Sequence, residues 1–156
     1  MIRSIMLFTF IVFFITSIQA DELESSRIEL EAKKKVQISK SLELTSEQSG
    51  PFWDVYAAYE RDLAKITKES FDLIRKFSDQ HQKNTITEQS ASNMLSAFFR
   101  LEGQKLQMKQ QYLSGFKEVL PTKKVFRFYQ IDNKIDSLIR CDIAKKLPLI
   151  EPDMEF

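Results

Sequence analysis

The chain has 156 residues, the size of a single domain, and its 23 Lys and Arg against 22 Asp and Glu give a formal net charge of +1. Such a balance argues against a nucleic-acid partner, because phosphates are bound through an excess of Lys and Arg. Three glycines and four prolines leave little material for the tight turns of β-hairpins. Strong helix formers (Leu, Lys, Glu, Gln, Ala) dominate instead, so the fold class reads as all-α.

The first twenty residues read as a targeting segment. Arg3 supplies a positive start, Ile5 to Ile15 is almost unbroken Ile, Met, Leu, Phe and Val, and Thr16-Ser17 leads to Ala20 ahead of Asp21-Glu22. That order predicts a secretory signal peptide over 1–20, cleaved after Ala20. Ile18 is bulky for the −3 position, and the alternative is an uncleaved membrane anchor, although a spanning helix wants roughly 20 apolar residues and this run is shorter. The segment holds one basic residue, Arg3, and no acidic one, so 21–156 carries 22 of each sign.

The remainder is expected to be a single helical domain, 21–156. A first helix from about Glu24 to Leu42 begins acidic and ends basic (Lys33, Lys34, Lys35, Lys40), which suits the helix dipole. A second, from Pro51 to Asp79, carries Phe52, Tyr56, Tyr59, Leu63, Ile66, Ser70, Leu73 and Phe77 at alternating spacings of four and three, a heptad seam with one polar gap. A polar loop containing His81 follows between Gln80 and Thr87, where either Thr85 with Glu88 or Thr87 caps the next helix.

The third helix, about Glu88 to Leu120, carries two neighbouring apolar stripes. One is Leu95, Phe99, Leu106, Leu113, Phe116 and Leu120, and the other is Ala91, Met94, Phe98, Leu101, Met108 and Tyr112. Glu102, Lys105 and Lys109 interrupt these stripes, and Gly103 among them predicts a bend or a close approach of another backbone. Pro121 ends the helix. A fourth runs from about Thr122 to Lys146 with Val125, Phe128, Ile131, Ile135, Leu138 and Ile139 as its buried face, and Pro148 stops it.

The most informative short stretch is Leu44-Thr45-Ser46-Glu47-Gln48. Physically it is a capping box: the Thr45 hydroxyl accepts from the Gln48 backbone N–H, and the Gln48 side chain reaches back to the Thr45 N–H. Gly50-Pro51 follows, and a proline at that depth breaks a helical hydrogen bond, so the capped turn is expected to be a separate piece with the long helix restarting at Pro51.

The same five residues match the LTxxQ motif, and the chain resembles the Spy/CpxP periplasmic family. A signal segment, a charged first helix, the motif, an aromatic-rich second helix (Phe52-Trp53, Tyr56, Tyr59), a long third helix, and Leu120-Pro121-Thr122-Lys123-Lys124 leading into Phe128-Tyr129-Gln130-Ile131 follow in the family's order. The family often repeats the motif before its third helix; here Ile86-Thr87-Glu88-Gln89 offers only Ile-Thr with Gln one position early, so the second copy is decayed or absent. The resemblance implies a four-helix protomer with long antiparallel helices that pairs into a curved homodimer in the periplasm. It implies an ATP-independent chaperone for unfolded or stressed envelope proteins. The alternative is a regulatory module that docks on a membrane sensor in envelope-stress or metal-responsive signalling.

Under that reading Phe98, Leu101, Glu102, Lys105 and Lys109 are candidate client-facing residues, a mixed apolar and charged surface suited to loose binding; the plainer expectation is a solvated helix edge. Metal binding would need several N or S ligands converging. His81 is the one histidine, and Met94 and Met108 lie two heptads apart, so no metal or other cofactor is expected within one chain, the alternative being a dimer-interface site through His81 and acidic residues. No Ser/His/Asp or Cys/His set, glycine-rich phosphate loop or HExxH occurs, so the chain is not expected to be an enzyme. Asp132 and Asp136 read as solvated charges on an exposed helix face. Cys141, the one cysteine, is expected to be free, buried or paired between chains, most simply a small core-facing residue.

Overall fold

The structure, a computed structural model, describes residues 32–150. The expected signal segment, its cleavage after Ala20 and the first part of the first helix lie outside the described residues, as do 151–156. The fold is all-α: among the described residues there are four helices and no strand. The chain divides into two units, one ending at Glu43 and one beginning at Leu44.

In the first unit, helix α1 (32–42) buries Lys34, Ile38 and Leu42, spaced by four so that they share one face. Glu43 then takes a left-handed φ of 48°, which ends the helix at a position that L side chains rarely adopt.

The second unit is built from α2 (Ser46–Gln82), α3 (Glu88–Val119) and α4 (Thr122–Lys146). Thr45 starts α2 as its sequence requires: its Oγ1 accepts from Gln48 N at 3.3 Å while its own N–H donates to Gln48 Oε1 at 3.3 Å. The helix does not restart at Pro51 but runs through it. The proline removes only the bond to the Glu47 carbonyl, and both residues are exposed, so the freed oxygen faces water.

The C-terminus of α2 extends past the expected loop boundary, placing His81 in its last turn. There Thr85 N–H donates to Gln80 O and Asn84 N–H to His81 O, with Asn84 at φ 49°. This is a Schellman closure with asparagine in the left-handed position. Of the two expected caps for α3 it is Thr87 that serves, exchanging bonds with Ser90. Pro121 separates α3 from α4 and Leu147-Pro148 follows α4, as the proline positions predict.

Register follows from a few contacts. Phe52 lies 5.8 Å from Phe116 between ring centroids, Asp62 accepts from Tyr112, and Glu69 pairs with Arg100, so α2 and α3 are antiparallel. Phe116–Phe128, Lys109–Asp132 and Glu102–Arg140 make α3 and α4 antiparallel as well. Hence α4 runs parallel to α2, with Lys124 against Gln48 and Asp132 against Tyr59.

The core is an aromatic cluster at one end of this three-helix arrangement. Phe128 touches Phe52, Tyr56, Tyr59 and Phe116 at centroid separations of 4.5–6.0 Å, and Leu120 and Val125 are buried beside the α3–α4 corner. Removing such a ring leaves a cavity, and Phe-to-Ala changes of this kind cost about 3–5 kcal/mol. Away from the cluster burial thins. Of the heptad seam on α2, Phe52, Tyr56 and Tyr59 are buried, whereas Leu63, Ile66, Leu73 and Phe77 are only half-buried.

Only part of the wide apolar face expected on α3 is covered. Met94, Leu101 and Met108, each seven residues from the next, are buried, while Leu95, Phe99 and Leu106 of the neighbouring stripe are 57–64% exposed. No other backbone closely approaches Gly103: a methyl there would meet nothing within 4 Å. On α4 the buried face is Val125, Phe128 and Asp132; Ile131, Ile135 and Ile139 are half-buried and Leu138 is exposed, so the expected face is rotated.

Candidate functional site

Two features of α3 are candidates for function: a ladder of charges between α3 and α4, and the apolar strip beside it. The ladder arises because Glu102, Lys105 and Lys109 project from one side of α3 and meet Asp132, Asp136 and Arg140, which follow one another by four along α4. At its inner end Asp132, 2% exposed, accepts from Lys109 Nζ at 2.6 Å and from the Tyr59 hydroxyl at 3.0 Å. The Tyr129 hydroxyl donates to the Lys109 carbonyl at 2.8 Å.

Further out, Lys105 donates to Asp136, Arg140 Nε donates to the other oxygen of Asp136 at 3.0 Å, and one Arg140 Nη reaches both oxygens of Glu102 at 2.9 and 3.0 Å. Burial grades along this ladder. The side chains of Lys105 and Lys109 are 18% exposed, whereas Arg140 and Glu102 are 47% and 41% exposed.

Burial lowers the pKa of the Lys105 ammonium despite its carboxylate partner. Burial also works to raise Asp136, but the Lys105 hydrogen bond and the charges of Lys105 and Arg140 hold its carboxyl below the usual range. Burial, then the Asp132 charge, raise Tyr59 strongly and push Tyr129 up to about 12.

The apolar strip lies next to it. Leu95, Phe99 and Leu106 are exposed, and Phe98, also exposed, stacks edge-on to Phe99 at 5.3 Å. Scattered exposed apolar residues are ordinary, but several large ones along one helix face make a candidate interaction surface. On α4, Leu138 is exposed too.

The structure divides the candidate client-facing residues. Phe98 lies on the exposed surface. Leu101 is buried, and Glu102, Lys105 and Lys109 are engaged by α4 rather than presented outward. Asp132 and Asp136 are the corresponding correction: they are interhelical partners, not solvated charges. Cys141 is exposed rather than core-facing. Thr45 and Gln48 form the expected box, with Leu44 half-buried beside it, and Gln48 Oε1 also accepts from Lys124 Nζ at 2.9 Å, so the motif ties α2 to the first turn of α4.

A signal for the missed carboxylates was present in the sequence. Val125, Phe128, Asp132, Asp136, Ile139 and Ile143 recur at helical spacing, so the two aspartates continue an apolar row instead of facing away from it.

His81 packs its ring 5.8 Å from Phe77. Among the described residues no three His, Cys, Asp or Glu side chains gather in a way that would hold a metal ion, and no helix is long and apolar enough to cross a membrane. Comparison with protein-family models, with curated proteins and with solved structures finds no match to this chain.

Proposed function

We propose that the protein is exported to the periplasm and acts there, without ATP, as a chaperone-like protein that holds unfolded or stressed envelope proteins on the exposed strip of α3. The observation that carries this reading is the strip itself: Leu95, Phe98, Phe99 and Leu106, large apolar side chains exposed along one face of a well-anchored helix. The export segment (Arg3, Ile5 to Ile15, Ala20) and the Leu44-to-Gln48 box of the Spy/CpxP resemblance agree with it.

Magnitudes fit loose holding. Burying one such side chain is worth about 1.5–3 kcal/mol, so four supply roughly 6–12 kcal/mol gross. Association costs at least about 4 kcal/mol. The surplus corresponds to weak binding, micromolar at best, from which a client can leave without an energy source.

The test is suppression of aggregation of two unrelated clients by the 21–156 protein without ATP, with its mass recorded in the same buffer for the expected homodimer. The Leu95→Ser, Phe99→Ser, Leu106→Ser triple variant should keep its helicity and lose most of the suppression. Suppression absent from both proteins refutes the chaperone reading. In that event saturable binding to one periplasmic sensor domain would mark a regulatory module.

A further inference from the structure

The two halves of α4 are attached in different ways. Through Asp132 the helix is built into the core: Val125, Phe128 and Asp132 are at most 2% exposed. After Asp132 no described residue of α4 is buried. Its outer half meets α3 through charge, with Lys105 on Asp136 and Glu102 on Arg140. Ile139 and Ile143 share a face with Asp136 by helical spacing and are half-buried, as is the neighbouring Ile135.

We propose that the outer half of α4 (135–146) is a charge-latched strap that opens away from α3. Opening uncovers Ile135, Ile139 and Ile143 beside the strip already exposed on α3, enlarging a continuous apolar surface. Local opening of this kind is drawn from the least buried part of a structure, and here the fastening is more salt-sensitive than the core because its outer pair lies half in water. This deepens the holding reading given above and rests on it for its purpose, but the opening itself is a property of the chain alone.

The chain carries its own reporter. Cys141 is its one cysteine and is exposed on the strap, so a nitroxide can be attached there without any substitution. Spin-label mobility and binding of an apolar-surface dye are measured on the 21–156 protein between 50 mM and 1 M NaCl, without clients. We expect a mobile spectral component to grow several-fold with salt and dye fluorescence to rise with it, while helicity and Trp53 emission report an intact core.

Arg140→Glu should produce the mobile spectrum already at 50 mM, and adding Glu102→Arg to it should restore the wild-type spectrum by re-forming the pair with reversed signs. A spectrum indifferent to salt and to Arg140→Glu, or a double variant no better than the single one, overturns the strap. If the latch behaves as described and aggregation is nowhere suppressed, the holding reading fails and the strap stands.

Discussion

Replacing Asp132 by asparagine keeps the shape of the side chain and removes its charge, which isolates what the carboxylate does at the inner end of the ladder. It is 2% exposed, with the Lys109 ammonium at 2.6 Å and the Tyr59 hydroxyl at 3.0 Å. Breaking a buried ion pair from one side costs about 3–5 kcal/mol because the other charge is left unpaired. Lys109 retains 18% side-chain exposure and can lean its ammonium toward water, which reduces the loss to about 2–4 kcal/mol.

That is a large share of a total stability of about 5–15 kcal/mol. With a urea slope of about 1–3 kcal/mol per molar, the midpoint should fall by roughly 1–2 M. Trp53 is the one tryptophan and lies edge-on to Phe52 and Tyr56 at 5.0 and 5.2 Å, so its emission follows the core, with far-ultraviolet circular dichroism as the second probe. Asp132→Leu combined with Lys109→Met and Tyr59→Phe removes all three polar groups together and should recover at least half of the loss. A midpoint for Asp132→Asn within experimental error of wild type would show that the carboxylate does not hold α4 in place.

Gln48→Ala loses the reciprocal cap and the Lys124 contact together, and should cost about 1–2 kcal/mol by urea unfolding, against about 1 kcal/mol for Thr45→Ala, which loses only the cap. Gly103→Ala should stabilise by about 1 kcal/mol, since the new methyl meets open space and the helix loses its least favourable residue there; a lower urea midpoint would contradict the open space around Gly103. Tyr59 and Tyr129 have raised pKa values in the folded state, mainly through burial. Their stabilisation is complete below the unfolded tyrosine pKa near 10 and is lost as pH rises through the folded value, about 12 for Tyr129. Tyrosine absorbance near 295 nm should therefore rise together with loss of helicity in that window; ionisation of all four tyrosines with helicity unchanged would contradict the buried hydroxyls.

Helix existence was legible from the chain because its signals are local. Thr45 with Gln48, Thr87, Pro121 and Pro148 each act within one turn, and α2, α3 and α4 begin or end beside them. Pro51 was a local signal that misled, since its one lost bond falls on an exposed carbonyl near the helix start, where the loss is small.

Which faces are covered was not local. Both stripes of α3 are equally apolar in sequence, and the choice of Met94, Leu101 and Met108 over Leu95, Phe99 and Leu106 is made by where α2 lies. The ladder was hidden for the same reason: a Lys on one helix and an Asp on another look solvated until the antiparallel register brings residue 109 to 132 and 105 to 136. For the candidate site this meant that Phe98 lies on the surface, Leu101 is buried, and the three charged residues are paired with α4.

The position of the aromatic cluster also shapes how the chain reaches its fold. Phe116 and Phe128, whose centroids are 4.5 Å apart, are joined across a connection of only Leu120 and Pro121. Closing so short a loop loses little chain entropy, so the corner forms early and the remote end of the hairpin zips afterwards. Phe116→Leu should therefore slow refolding, whereas Leu101→Ala, remote from the corner, should mainly hasten unfolding. The end of the molecule that consolidates last is also the end with the exposed strip, so slow-forming structure and sticky surface coincide.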